Sequence, residues 1–209
     1  MTIVHLVRHG EVFNPEKVLY GRLPGYHLSD AGMAMAEKSA AYLAGRDLSY
    51  LVSSPLERAL ETAAPLATMT GLEVHQDERL IEAANAFEGQ RVAGGPLSQL
   101  VKPSYWPRYR NPFRPSWGEP YTEIAARMLA AIEAAREAAD GHEAVCVSHQ
   151  LPIVIATRAA RGQRLWHDPR KRRCSLASVT SFTFDGAKIV SVGYVEPAGE
   201  TPKGAVAGA

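Results

Sequence analysis

The sequence predicts an α/β fold. Two observations carry this reading. Short apolar, strand-like runs alternate along the chain with stretches of helical period. Two of those runs, the first and a later one, end on a histidine, where open α/β sheets place their ligand sites.

The elements follow in order. Ile3 to Val7 is a short buried strand closed by Arg8-His9-Gly10-Glu11. Glu11 to Leu28 is a loop rich in Pro and Gly. Ser29-Asp30 starts a helix in which Met33, Ala36, Ala40 and Leu43 recur at helical spacing, and Gly45 is placed to end it. Leu48 to Ser53 is a second strand. Ser54-Pro55-Leu56-Glu57 then reads as a helix start, with Ser54 as N-cap, Pro55 at the first helical position and Glu57 completing a capping box. That helix runs to about Thr70 and Gly71. Glu73 to His75 is a short edge strand. Tyr121 to Ala139 is a long alanine-rich helix. Ala144 to Val147 is a third buried strand, followed by helix from Leu151 to about Arg161. Ser175 to Phe184 and Lys188 to Val195, joined through Asp185-Gly186, form a terminal hairpin. The whole reads as one domain over 1–196, and the tail 197–209 has little to bury and is expected to be disordered.

One stretch resists this scheme. From about 87 to 120 there is no period, only prolines, arginines and aromatics. Tyr105, Trp106, Tyr109, Phe113 and Trp117 argue against disorder. Structureless loops longer than about 12–15 residues are usually functional or disordered. A surface loop packing its own aromatics and a lid over the active site are both open; single-stranded nucleic acid binding, suggested by interleaved aromatic and basic residues, is disfavoured by the near-neutral net charge and the lack of a module signature. In the lid, arginines such as Arg108, Arg110 and Arg114 would help hold an anionic substrate.

Composition excludes several classes. The chain has 209 residues, 46% hydrophobic and 22% charged, with a formal net charge of +1. Such a balance gives no pull toward nucleic acid or a membrane surface. No run approaches the roughly 18 apolar residues of a membrane helix, and no signal peptide is visible, so the cytoplasm is the default location. The two cysteines, Cys146 and Cys174, make neither a disulfide framework nor a metal-ligand spacing; Cys146 reads as core. No metal and no cofactor are expected. The run Arg170-Lys171-Arg172-Arg173 reads as a solvated basic face.

The chemistry concentrates at strand ends. Arg8 and His9 side by side cost desolvation unless something uses them. His149 follows the strand Ala144 to Ser148, with a helix N-terminus and its positive dipole end beside it. If the two strands are parallel neighbours, His9 and His149 face each other. Arg58 lies in the first turn of a helix, where the dipole disfavours a cation. A pair with Glu57 or Glu61 would explain it blandly; an anion at the helix N-terminus would explain it functionally. Convergence of Arg8, His9, Arg58 and His149 points to a phosphate.

Arg8-His9-Gly10-Glu11, Ser53-Ser54-Pro55-Leu56-Glu57-Arg58-Ala59 and Val147-Ser148-His149, in this order and at these separations, resemble the histidine phosphatase superfamily, also called phosphoglycerate mutase-like. The resemblance runs from Ile3 to about Val195, outside the variable 87–120 loop. It implies a three-layer α/β/α sandwich with a mostly parallel central sheet, and phosphoryl transfer through a phosphohistidine. His9 would be the nucleophile, with its other ring nitrogen donating to a backbone carbonyl. Arg8 and Arg58 would clamp the phosphoryl oxygens, and His149 would add a donor. A carboxyl group must protonate the leaving alkoxide and later activate water. Glu78, Glu82 and Glu88 are rivals on sequence alone; the family register favours Glu82, in Leu80-Ile81-Glu82-Ala83-Ala84-Asn85. Asn14, Arg22 and Gln150 are candidate substrate contacts. Val12 and Gln150 depart from the family pattern, which often has Ser or Thr and Gly there.

Cofactor-dependent mutases carry Arg, His and Tyr after the acid, where this chain has Ala83, Ala84 and Asn85. The expectation is therefore a phosphatase acting on a small phosphomonoester. Phosphoglycerate mutase-type transfer and a non-catalytic phospholigand-binding module are the alternatives. The terminal strands and the aromatic loop could form a homodimer contact.

Overall fold

The computed structural model of the protein describes residues 1–91 and 118–199. The aromatic and arginine-rich residues 92–117, including the expected lid, and the tail 200–209 lie outside the described residues.

Six strands form one sheet in the order β3-β2-β4-β1-β5-β6. They are β1 (Thr2–Arg8), β2 (Leu48–Ser53), β3 (Val74–Gln76), β4 (Glu143–Ser148), β5 (Val179–Asp185) and β6 (Lys188–Val195). β1 to β4 run parallel, and β5 pairs antiparallel with both β1 and β6. β1 and β4 are central and buried on both faces, which is why they read as continuous apolar runs. The helices are α1 (Asp30–Leu43), α2 (Glu57–Thr70), α3 (Tyr121–Ala138) and α4 (Gln150–Ala160).

The period-2 alternation of the strands builds three layers. Val4 and Leu6 of β1, with Ala144 and Cys146 of β4, face a core completed by Ile124, Met128 and Ile132 of α3 and Ile153 of α4. Val7 of β1, with Val145 and Val147 of β4, faces a second core with Ala40 and Leu43 of α1 and Ala59, Ala63 and Leu66 of α2. The α/β/α sandwich is therefore present. Cys146 is fully buried, as expected for core, and both cysteines are free. Among the described residues no helix is long and apolar enough to cross a membrane.

Three local expectations are corrected. Ser54 does not cap α2: Leu56 is the N-cap, with no side-chain cap bond, and the helix begins at Glu57. Ser54 turns instead toward His149, and the Glu57 carboxylate accepts from the Gly25 backbone N–H at 3.0 Å. The terminal hairpin starts at Val179, not Ser175. Residues before it turn around the end of β1, with Ala177 in the left-handed region at φ 52° and its N–H donating to the His9 carbonyl at 3.3 Å. α1 ends at Ala44 in right-handed geometry, not at Gly45. Its start is as expected: Ser29 Oγ accepts from Gly32 N–H at 3.0 Å.

Gly10 and Gly32 fix the chain after β1 against α1. A Cβ on Gly10 would collide with the Gly32 carbonyl, and one on Gly32 with the Glu11 carbonyl. Both contacts are backbone to backbone, so neither could be relieved by a side chain moving aside.

Candidate active site

β1 and β4 are parallel neighbours with Arg8 opposite Ser148 in register, so the residues that follow them emerge together. His9 and His149 are fully buried, with ring centroids 5.1 Å apart and planes tilted by 56°. α2 brings Arg58 to the same place, fully buried, and the segment after the short 3-10 turn Glu78–Leu80 brings Glu82. The five residues expected to carry chemistry form one cluster.

His9 Nδ1 lies 2.7 Å from the Gly10 carbonyl oxygen. A carbonyl only accepts, so Nδ1 carries the proton and Nε2 keeps its lone pair. Burial first, then Arg58 and Arg8, holds the His9 pKa well below its ordinary value. The imidazole is therefore neutral near pH 7.

His149 is held from the opposite nitrogen. Its Nε2 lies 2.8 Å from Ser54 Oγ, which also accepts from the Leu56 N–H at 3.4 Å. The hydroxyl can give its own proton to Nε2, and the other ring nitrogen, Nδ1, is buried without a partner on the side of the site. Burial, then Arg58, His9 and Arg8, lowers the His149 pKa as well.

Each arginine spends one nitrogen on the backbone. Arg8 Nη1 donates to the Cys174 carbonyl at 2.7 Å, and Arg58 Nη2 to the Gly21 carbonyl at 2.6 Å. The Tyr20 ring, itself buried, lies 4.8 Å from the Arg58 guanidinium carbon. Glu82 Oε1 accepts from Ala83 N–H at 2.8 Å. Burial pushes the Glu82 pKa up, against the pull of that N–H, Arg58, Arg8 and Arg172. Of the three rival carboxylates, Glu78 is exposed, Glu88 accepts from the Asn85 N–H at 3.2 Å, and Glu82 alone is buried.

What remains unpartnered is informative. Arg8 Nε, Arg58 Nε and Nη1, His9 Nε2, His149 Nδ1 and Glu82 Oε2 are all buried without a hydrogen-bond partner. Orphaned buried polar atoms are costly, and so many in one place call for a guest. Two guanidiniums and a second imidazole around a neutral acceptor imidazole suit a tetrahedral oxyanion. Among the described residues, no three His, Cys, Asp or Glu side chains gather as metal ligands.

The expected substrate contacts are placed differently. The Asn14 side chain is used within its own loop, donating to the Val18 carbonyl at 2.8 Å and accepting from the Val18 N–H at 3.0 Å. Arg22 supports the acid: Nε donates to the Glu82 carbonyl at 2.7 Å and Nη2 pairs with Glu119 at 2.9 Å. Glu119 is in turn held by Arg127, 2.7 Å away. Gln150 Nε2 reaches the Cys174 carbonyl at 3.4 Å, beside Arg8. Sequence reasoning missed Ser54 as the partner of His149 and the Cys174 carbonyl as the anchor of Arg8. It also placed Arg172 on a solvated face. Arg172 is half-buried, with burial lowering its pKa and Glu82 among the charges it faces. A signal existed for Ser54, a hydroxyl at the end of a buried strand beside two others ending on histidine. None existed for a backbone carbonyl.

The family model described as histidine phosphatase superfamily (branch 1) matches residues 4–197. The "Uncharacterized protein Rv0525" of Mycobacterium tuberculosis is 55% identical over 197 residues, covering 94% of this chain and 97% of its own. A probable phosphoglycerate mutase, GpmB of Yersinia pestis, is 28% identical over 210 residues, covering 96% of this chain and 94% of its own. Among solved structures, the mycobacterial glucosyl-3-phosphoglycerate phosphatase Rv2419c superposes with a TM-score of 0.70 at 26% identity, over 92% of this chain and 95% of that one.

Proposed function

Because the chain belongs to branch 1 of the histidine phosphatase superfamily, we propose that it hydrolyses a small phosphomonoester through a phosphohistidine on His9, without a metal. The carrying observation is the neutral His9 Nε2, open to the site amid unpartnered arginine and histidine donors and one unpartnered carboxyl oxygen.

The steps follow from those atoms. The Nε2 lone pair of His9 attacks phosphorus as the bond to the ester oxygen breaks. Arg8 Nε, Arg58 Nε and Nη1, and His149 Nδ1 donate to the phosphoryl oxygens, where charge is spread in the transition state. Glu82, whose pKa burial raises, gives its proton to the leaving alkoxide. As a carboxylate it then takes a proton from water, whose oxygen attacks phosphorus as the bond to nitrogen breaks. Orthophosphate leaves, and His9 and Glu82 return to their starting states. The positive charge comes from side chains of this chain, so no step needs a metal.

The likeness to a probable phosphoglycerate mutase keeps a second reading: transfer from His9 to a second hydroxyl rather than to water. Ala83, Ala84 and Asn85 after the acid favour water. One experiment separates these readings. Purified protein is incubated in EDTA with a panel of phosphomonoesters, including 3-phosphoglycerate with its bisphosphate primer. Released phosphate and 2-phosphoglycerate are both measured, and the protein is denatured in alkali to trap acid-labile phosphate. Metal-independent release, with label trapped on His9, is expected. Conversion without net release would mean a mutase. Phosphate binding with neither turnover nor label would mean a binding module.

A further inference from the structure

Arg158, Arg161, Arg164, Arg170, Lys171, Arg172 and Arg173 fall within a short stretch that holds a single acid, Asp168. Folding does not disperse them. The C-terminal half of α4, the segment after it and the β5–β6 hairpin border an open cavity of about 520 Å³, whose lining includes neither His9 nor His149, Arg8, Arg58 or Glu82. Arg158, Arg161, Arg164, Lys171, Arg172 and Arg173 all line it. Asp168 also lines it, but both its oxygens are taken by Arg170, at 3.0 and 2.9 Å.

Among the described residues, none of the six lining cations pairs with a carboxylate. Several are fixed by neutral groups. Arg158 donates to the Arg164 carbonyl at 2.6 Å, and Arg161 to the Val192 carbonyl at 2.9 Å. Arg172 donates to His167 Nε2 at 3.0 Å, and Arg173 lies over the Tyr194 ring at 4.7 Å. These contacts hold the groups in place without a direct carboxylate partner, although Arg172 also faces Glu82 at longer range. Like charges around one concave void repel each other, and such a void focuses a field that attracts anions. The net charge of the whole chain is only +1, so the concentration here is local.

We propose that this cavity binds a compact, multiply phosphorylated small molecule, at a site separate from the His9 pocket. Guanidinium forks suit phosphate oxygens, and several at once suit a ligand carrying more than one phosphate. The volume is that of a small-ligand site rather than of a face for a duplex or a bilayer. Arg172 lines the cavity, and its charge also reaches Glu82.

The test is isothermal titration of the full chain with tripolyphosphate, which does not depend on catalysis at His9. Arg164 and Lys171 are exposed, so their loss spares the fold. Arg164→Ala and Lys171→Ala are each expected to weaken binding about tenfold, the value of one charge-assisted hydrogen bond. Arg58→Ala, which empties the His9 pocket of a clamp, is expected to leave it unchanged. Binding lost in Arg58→Ala but kept in the cavity variants would place the ligand at His9 and overturn the proposal. No binding of tripolyphosphate, or tighter binding of duplex DNA or anionic vesicles, would overturn it too.

Discussion

His9 and His149 occupy matching positions, each the first residue beyond a central parallel strand, and both are fully buried. They differ in which nitrogen is held and by what. A carbonyl holds His9 through Nδ1, leaving an acceptor at Nε2. A hydroxyl holds His149 through Nε2, leaving Nδ1 free toward the site, the donor of the proposed mechanism. Strand register makes the two imidazoles neighbours; in the proposed mechanism the partner behind each ring decides which attacks and which stabilises.

The sharpest way to break this comparison is to remove each ring in turn. His9→Ala should abolish phosphate release, by about 10⁴-fold or more, as expected for loss of a nucleophile. His149→Ala should slow turnover by about 10²–10³-fold, the scale of one lost oxyanion donor, and should still give trapped phosphohistidine. Equal losses with no label in either variant would mean that the roles are not divided in this way.

Glu82→Gln comes next. Loss of acid–base help is expected to cost about 10²–10⁴-fold, least with p-nitrophenyl phosphate, whose leaving group needs no proton. The pH profile carries the same assignment. Attack needs neutral His9, whose pKa is lowered, so the acid limb of kcat/KM should lie below the ordinary histidine value. Protonation of the leaving group needs neutral Glu82, whose pKa is raised, so the alkaline limb should lie above the ordinary glutamate value. Glu82→Gln should remove the alkaline limb and keep the acid one.

The smallest effect should come from Ser54→Ala. Losing one positioning hydrogen bond is expected to lower kcat about tenfold, with Ser54→Thr restoring most of it. Nothing should change in the trapping of phosphate on His9, because Ser54 touches only the other ring. An unchanged kcat would mean that His149 keeps its orientation without the hydroxyl.

Much of this was legible in the chain. The apolar runs Ile3–Val7 and Ala144–Val147 are buried on both faces and need no partner to be recognised as strands, so Arg8, His9 and His149 were found at their ends. Ser29 was read correctly as a cap because its competitors are local. Ser54 was misread for the opposite reason. Its local pattern satisfies a capping box, but His149, 95 residues away, offers a buried hydroxyl a better partner. Ser175 to Ser178 alternates like a strand, yet the chain turns there so that the Cys174 carbonyl can meet Arg8. Asn14 and Arg22 carry groups that suit a phosphate, and only the fold reveals that Val18, Glu82 and Glu119 engage them first. Side-chain chemistry is written in the sequence; the carbonyls that occupy or release it are not.

The backbone contact between Gly10 and Gly32 has a consequence for how such a catalyst can be altered. The carbonyl that orients His9 belongs to Gly10, and Gly10 is backed by main chain of α1. The aim of the His9 ring, the proposed nucleophile, is thus set by atoms that every amino acid shares. Side chains around the pocket can be exchanged wholesale, as in directed evolution toward a new ester, without rotating the imidazole. The two glycines themselves form the fixed point: a library that diversifies them should lose activity whatever substrate it is selected on.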